Sequence, residues 1–253
     1  MDNLLTVKEY EIHYYEVGFN KEANITTIIN LFQDVFVCQL ENVGMGLGYL
    51  DDHSITWMVL KWDIQIFKKP TYGEKIKIKM YPISLKKFYM YIRYQVLNEN
   101  GEILAEAVSS WMLIDTMKGK PQKITEELYS LYGLTLDDNV PIPIDKINLT
   151  GELELKKTYN VGYSDIDTNG HANNSKYISW ALNAIPENII KDYKLTRIKI
   201  DYKKGISSNK IIFSAIKIIK DEKEEIIRCL HKIYTKDNVT LTVLESIWET
   251  NTY

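Results

Sequence analysis

Asp167, Asn169 and His171 stand at alternate positions of one short segment, Asp165-Ile166-Asp167-Thr168-Asn169-Gly170-His171-Ala172-Asn173-Asn174. An acid, an amide and an imidazole spaced this way around a glycine can be aimed at one point. Attack on a carbonyl needs such a set: a base, a group that orients it, and donors for the oxyanion. Ser175-Lys176-Tyr177-Ile178-Ser179-Trp180 follows with helical spacing of its apolar side chains. The trio therefore precedes a helix N-terminus, where backbone N–H groups lack intrahelical partners and suit a developing negative charge. Asn173 fits the N-cap, and the N–H groups near Asn173 and Asn174 are the candidates to hold a substrate carbonyl.

The elements that position this loop are given twice. A strand over Thr6–Val17 leads to a helix from about Asn24 to Asn42, in which Ile25, Ile28, Ile29, Leu31, Phe32, Val35, Phe36 and Leu40 recur at helical spacing. So many apolar positions describe a helix wrapped on most sides. Gly44, Gly46 and Gly48 stop it. Strands are expected over Thr56–Phe67, Lys75–Ile83, Phe88–Leu97 and Ile103–Asp115, the last two joined by the turn Asn98-Glu99-Asn100-Gly101. The second half repeats the order: a strand over Lys156–Tyr163, a helix over Asn173–Ala184 stopped by Pro186, and strands over Thr196–Lys203, Lys210–Lys220, Glu225–Tyr234 and Thr240–Glu249. Lys68-Lys69 answers Lys203-Lys204 and Lys75-Ile76 answers Lys210-Ile211 at one separation, while Trp111 answers Trp248 at nearly the same one. The pattern is an internal duplication. It predicts an α+β chain with a first domain over 1–133, a linker over 134–150 and a second domain over 151–253, each sheet wrapping its own long helix.

Composition narrows the class. The 253 residues are 45% apolar and 26% charged, with a net charge of −3, which argues against nucleic acid as a partner. No apolar run reaches the length of a membrane span, and Cys38 and Cys229 are too far apart for a metal motif, so a cytoplasmic protein is expected. His13, His53 and His231 are scattered without zinc spacing. No metal and no cofactor are expected.

The segment Asp167-x-Asn169-x-His171-Ala172-Asn173-Asn174-x-x-Tyr177, with Trp180 beyond it, resembles the active-site segment of acyl-acyl carrier protein thioesterases, plant and bacterial enzymes with two fused hotdog domains. Trp57, the turn Lys69-Pro70-Thr71-Tyr72-Gly73-Glu74 and the strand Ser109-Ser110-Trp111 extend the resemblance over nearly the whole chain. It implies a tandem hotdog fold and hydrolysis of fatty acyl thioesters carried by acyl carrier protein, with Asp167, Asn169 and His171 catalytic. One position departs. The plant enzymes carry a further catalytic Glu directly after a Tyr-Arg-Arg, and here Tyr202-Lys203-Lys204 is followed by Gly205. Gly205 lacks a side chain, so water could fill the space of that carboxylate.

Two routes stay open on these residues. His171 could activate water directly, or Asp167 could be base or nucleophile while His171 polarises the substrate. Asn169, which cannot change charge, would orient water or the carbonyl. The first copy reads Gly18-Phe19-Asn20-Lys21-Glu22-Ala23-Asn24 at the equivalent loop and lacks the histidine, so one chemical site is expected, in the second domain. Met45, Leu47, Trp57, Met58 and Leu60 then suit a tunnel for the acyl chain, with Trp57 and Met58 contacting substrate. Rival readings are an acyl-CoA thioesterase, a non-catalytic sensor of acyl thioesters, and a hotdog dehydratase. A homodimer is an open option for assembly.

Overall fold

A computed structural model of the chain describes residues 5–135, 142–221, 223 and 225–251. The chain divides into two compact units, Met1–Leu60 with Ile66–Ile144, and Lys61–Gln65 with Asp145–Tyr253. The interior of the predicted linker, 136–141, lies outside the described residues.

In the first unit, β1 (Thr6–Glu11) is followed by α1 (Ile25–Asn42), α2 (Leu47–Asp52), β2 (Ile55–Ile66, of which Lys61–Gln65 fall in the second unit), β3 (Lys75–Lys86), β4 (Tyr89–Asn98), β5 (Ile103–Asp115), β6 (Lys120–Pro121) and α3 (Glu126–Leu131). The strands run in the order β1-β3-β4-β5-β2, with β6 on β5. Helix α1 lies against β1 and β3. Ile28, Ile29, Phe32, Val35 and Phe36 are buried along it, and Phe32 and Phe36 meet the Tyr94 and Trp111 rings at 4.7 and 4.2 Å. Burying such side chains contributes about 1.5–3 kcal/mol each, which makes this helix the first unit's core.

The second unit holds β7 (Leu155–Asn160), α4 (Asn174–Leu182), α5 (Glu187–Asp192), β8 (Tyr193–Tyr202), β9 (Ile211–Lys220), β10 (Ile226–Thr235) and β11 (Thr240–Thr250). Its strand order, β8-β11-β10-β9-β7, repeats the first unit's element for element, and α4 packs on β9, β10 and β11. The repeat reaches single side chains. The Trp111 indole donates to Ser109 Oγ at 2.7 Å, and the Trp248 indole donates to Ser246 Oγ at 2.9 Å. Each sheet curling over a helix is the hotdog arrangement, and the class is α+β.

Three expectations change. The opening strand of each half is shorter than predicted, because a 3-10 turn takes over at Tyr14–Glu16 and again at Tyr163–Asp165. The second turn is closed by the Gly162 N–H donating to Asp165 Oδ2 at 2.9 Å. The second helix is half the length of α1, ending at Leu182 before Pro186, which caps α5. The three-glycine stop holds a further helix: Gly44, at φ +75°, ends α1, and Gly46 is the N-cap of α2. Among the described residues no helix is long and apolar enough to cross a membrane.

Candidate active site

Residues 166–173 form a tight loop closed across its own base. The Asp167 N–H donates to the His171 carbonyl at 2.8 Å and the Gly170 N–H to the Asp167 carbonyl at 3.1 Å. Gly170, at φ +74°, makes the left-handed turn this closure needs. The Asp167 carboxylate faces into the loop, where Oδ1 accepts from the Asn169 N–H at 2.8 Å and the His171 N–H at 3.3 Å. Its chain direction at the far side is set by the Asn173 N–H donating to the Asp165 carbonyl at 2.7 Å, and Asp165 is held in turn by Lys176 at 3.1 Å. The Asn169 and His171 backbones are thus tied to the Asp167 carboxylate, with Asn169 and His171 exposed and Asp167 half-buried.

Asn173 is the helix N-cap. Its Oδ1 accepts from both the Ser175 N–H and the Ser175 hydroxyl at 2.9 Å, and its carbonyl accepts from the Lys176 N–H at 2.9 Å. The N–H groups of Ser175 and Lys176 are therefore taken by the cap, so a substrate oxyanion would compete with it. The Asn174 carbonyl accepts from the buried Tyr202 hydroxyl at 3.0 Å, which ties the helix start to the end of β8.

Tyr177 does more than fill the core. Its hydroxyl accepts from the Ile206 N–H at 3.1 Å, and the Ile206 carbonyl accepts from the Ala172 N–H at 2.8 Å. The 205–206 backbone is thereby fixed between helix and loop. Burial pushes the Tyr177 phenol up to about 12; the Ile206 N–H opposes the shift and the Asp167 charge adds to it. Tyr177 stays protonated and is an anchor, not a base. Sequence patterns marked Tyr177 only as a motif member, because its partner lies on a different element.

At Gly205 the His171 ring lies where a side chain would begin. A Cβ on Gly205 would come within 2.8 Å of His171 Cδ2 and 3.1 Å of Cγ, so the imidazole ring occupies that position. Trp57 and Met58 do not share a surface. Neighbours on a strand point to opposite faces, and Trp57 is buried while Met58 is 42% exposed. Among the described residues no group of three or more His, Cys, Asp or Glu could hold a metal ion.

Comparison with known proteins identifies both halves of the chain. The acyl-ACP (acyl carrier protein) thioesterase N-terminal domain matches residues 3–132, and the acyl-ACP thioesterase C-terminal domain matches residues 150–250. An oleoyl-acyl carrier protein thioesterase from Arabidopsis thaliana is 27% identical over 85% of the chain. The chain spans 53–65% of the length of the curated plant relatives it matches. Two solved structures share the fold. The 12:0-ACP thioesterase from Umbellularia californica superposes with a TM-score of 0.86 at 19% identity, covering 98% of this chain and 94% of that one. An acyl-ACP thioesterase from Bacteroides thetaiotaomicron does so with a TM-score of 0.77 at 18% identity, covering 98% and 99%. With both halves matched in order, the chain belongs to the acyl-acyl carrier protein thioesterase family.

Proposed function

We propose that this protein hydrolyses fatty acyl thioesters of acyl carrier protein, releasing free fatty acid and the carrier thiol. The observation that carries the reading is the exposed His171 imidazole, held with Asn169 and Asp167 in a bonded loop of a chain whose two halves match the family's two domains. His171 takes a proton from water, whose oxygen attacks the thioester carbonyl. The tetrahedral intermediate then expels the thiolate, which recovers the proton. The Asn169 carboxamide orients the water or the carbonyl. The second route, with Asp167 as base or nucleophile, is less favoured because Asp167 Oδ1 already accepts two backbone N–H groups.

In this reading the second domain, 151–253, is catalytic and the first, 1–133, receives the acyl chain, with Trp57 on the buried face of β2 as its candidate contact. Asn173 and Asn174 contribute by shaping the helix start that borders the substrate. The protein acts in the cytoplasm without a cofactor, and a homodimer is the assembly to test by sedimentation. Parallel kinetics on one acyl group carried by acyl carrier protein and by coenzyme A test the substrate. A higher kcat/KM on the carrier-protein thioester is expected. Equal or reversed preference would make the chain an acyl-CoA thioesterase, and absence of thiol release from both would make it a sensor.

A further inference from the structure

Gly205 has a role that its backbone does not require. Its φ lies outside the left-handed region, so an L-residue could adopt this conformation without strain. What a side chain would displace is His171: with the ring where it stands, a Cβ would meet it at 2.8 Å (Cδ2) and 3.1 Å (Cγ) and the His171 Cβ at 3.5 Å. The wall behind Gly205 cannot retreat. Ile206 is bonded to Tyr177 on one side and Ala172 on the other, and the Lys203 and Lys204 N–H groups both donate to the Leu241 carbonyl, at 2.7 and 3.1 Å.

The first unit supplies an internal comparison. Its loop makes the same bonds: Gly18 N–H to Glu22 carbonyl at 2.9 Å, Lys21 N–H to Gly18 carbonyl at 3.0 Å, Ala23 N–H to Pro70 carbonyl at 2.8 Å and Asn24 N–H to Glu16 carbonyl at 3.0 Å. Lys21, at φ +62°, even takes the left-handed turn of Gly170. Glu22 therefore stands where His171 stands, and Lys69, one residue before Pro70, stands where Gly205 stands. This corrects the sequence pairing of Lys69 with Lys204 by one residue. Lys69 Nζ lies 3.8 Å from the Glu22 carboxylate. Within this chain the position carries a lysine where it faces a carboxylate and a glycine where it faces the His171 ring.

We propose that Gly205 is a positioning residue: its bare α-carbon seats the His171 imidazole and so sets the reach of the base. This rests on His171 acting chemically, as proposed above. Because the His171 side chain is exposed, it can swing away from an added Cβ at little cost in stability. The lesion falls on geometry, where a displacement of about 1 Å can cost about 10²-fold in rate.

The test is a double-mutant cycle of Gly205→Ala and His171→Ala, with kcat and KM on a fatty acyl-carrier protein thioester and melting temperature for each variant. Gly205→Ser serves as a second variant. The chain has four histidines, so the Cδ2–H resonance lost in His171→Ala identifies that ring by NMR. Gly205→Ala should lower kcat by about 10-fold or more at nearly constant KM, shift the His171 resonance, and have no further effect in the His171→Ala background. Native kcat in Gly205→Ala, or an equal loss in both backgrounds, would overturn the seating. Full activity in His171→Ala would instead sink the proposed chemistry, while the NMR shift would still report on the seat.

Discussion

Asp167→Asn and Asp167→Ala should have different consequences, and the difference measures what the carboxylate does. Asn keeps an acceptor oxygen for the Asn169 and His171 N–H groups and loses only the charge, whereas Ala loses both bonds. Bonds to a charged acceptor contribute about 1.5–3 kcal/mol and neutral ones about 0.5–1.5 kcal/mol. In a half-exposed loop water replaces part of each, so Asn should cost about 1 kcal/mol and Ala about 2–3 kcal/mol. For a chain of this size those values lower the melting temperature by about 2–4 °C and about 4–12 °C. Activity should follow the same order. Asp167→Asn retains kcat within about 10-fold, because the loop still presents His171, and Asp167→Ala loses about 10²-fold or more through misplacement. Thermal unfolding and single-turnover hydrolysis give both numbers. Equal losses of about 10³-fold in the two variants, with melting temperature unchanged in Asp167→Asn, would refute the reasoning and make the carboxylate the base or nucleophile.

Three further perturbations have defined outcomes. Tyr177→Phe leaves the buried Ile206 N–H without its acceptor and should cost about 1–3 kcal/mol by chemical denaturation, with activity falling as the 205–206 wall loosens. Asn173→Ala removes the cap of α4 and should cost about 1 kcal/mol, read as a lower denaturation midpoint. His231 is fully buried against Ser246 Oγ at 3.0 Å, and burial pushes its imidazole down to about 3, with the Ala181 carbonyl opposing the shift. The unfolded chain binds a proton near pH 6.5 that the native state refuses, so stability is full above that pH. It should fall by about 1.4 kcal/mol per unit as pH drops from about 6.5 toward 3. His231→Gln should flatten that slope, and an unchanged slope would assign it to other groups.

The fold was legible because duplication and strand alternation survive in the sequence. The span Ile103–Asp115 is a strand in both readings, and α1 differs from its expected span by one residue. Short helices were not legible. In α2 and α3 six residues give too few turns for periodicity to show, and α5 hides behind Pro186, a helix stop that also serves as an N-cap. At the site the spacing of Asp167, Asn169 and His171 was readable because the three share one loop. The seat of His171 was not, since Gly205 is distant in sequence and its contact depends on bonds from Tyr177 and Ala172. Trp57 and Met58 were paired by apolar character alone, and strand geometry separates them.

The central claim is that one site, built around His171, hydrolyses acyl-carrier thioesters. Release of free thiol from purified fatty acyl-carrier protein, compared between the native chain and His171→Ala, tests it most directly. The native chain should turn the thioester over. The variant should be slower by about 10²–10⁴-fold, the usual worth of a general acid–base group, with an unchanged melting profile because an exposed loop side chain contributes little packing. Equal rates in a folded variant, or no release by the native chain, would contradict the account.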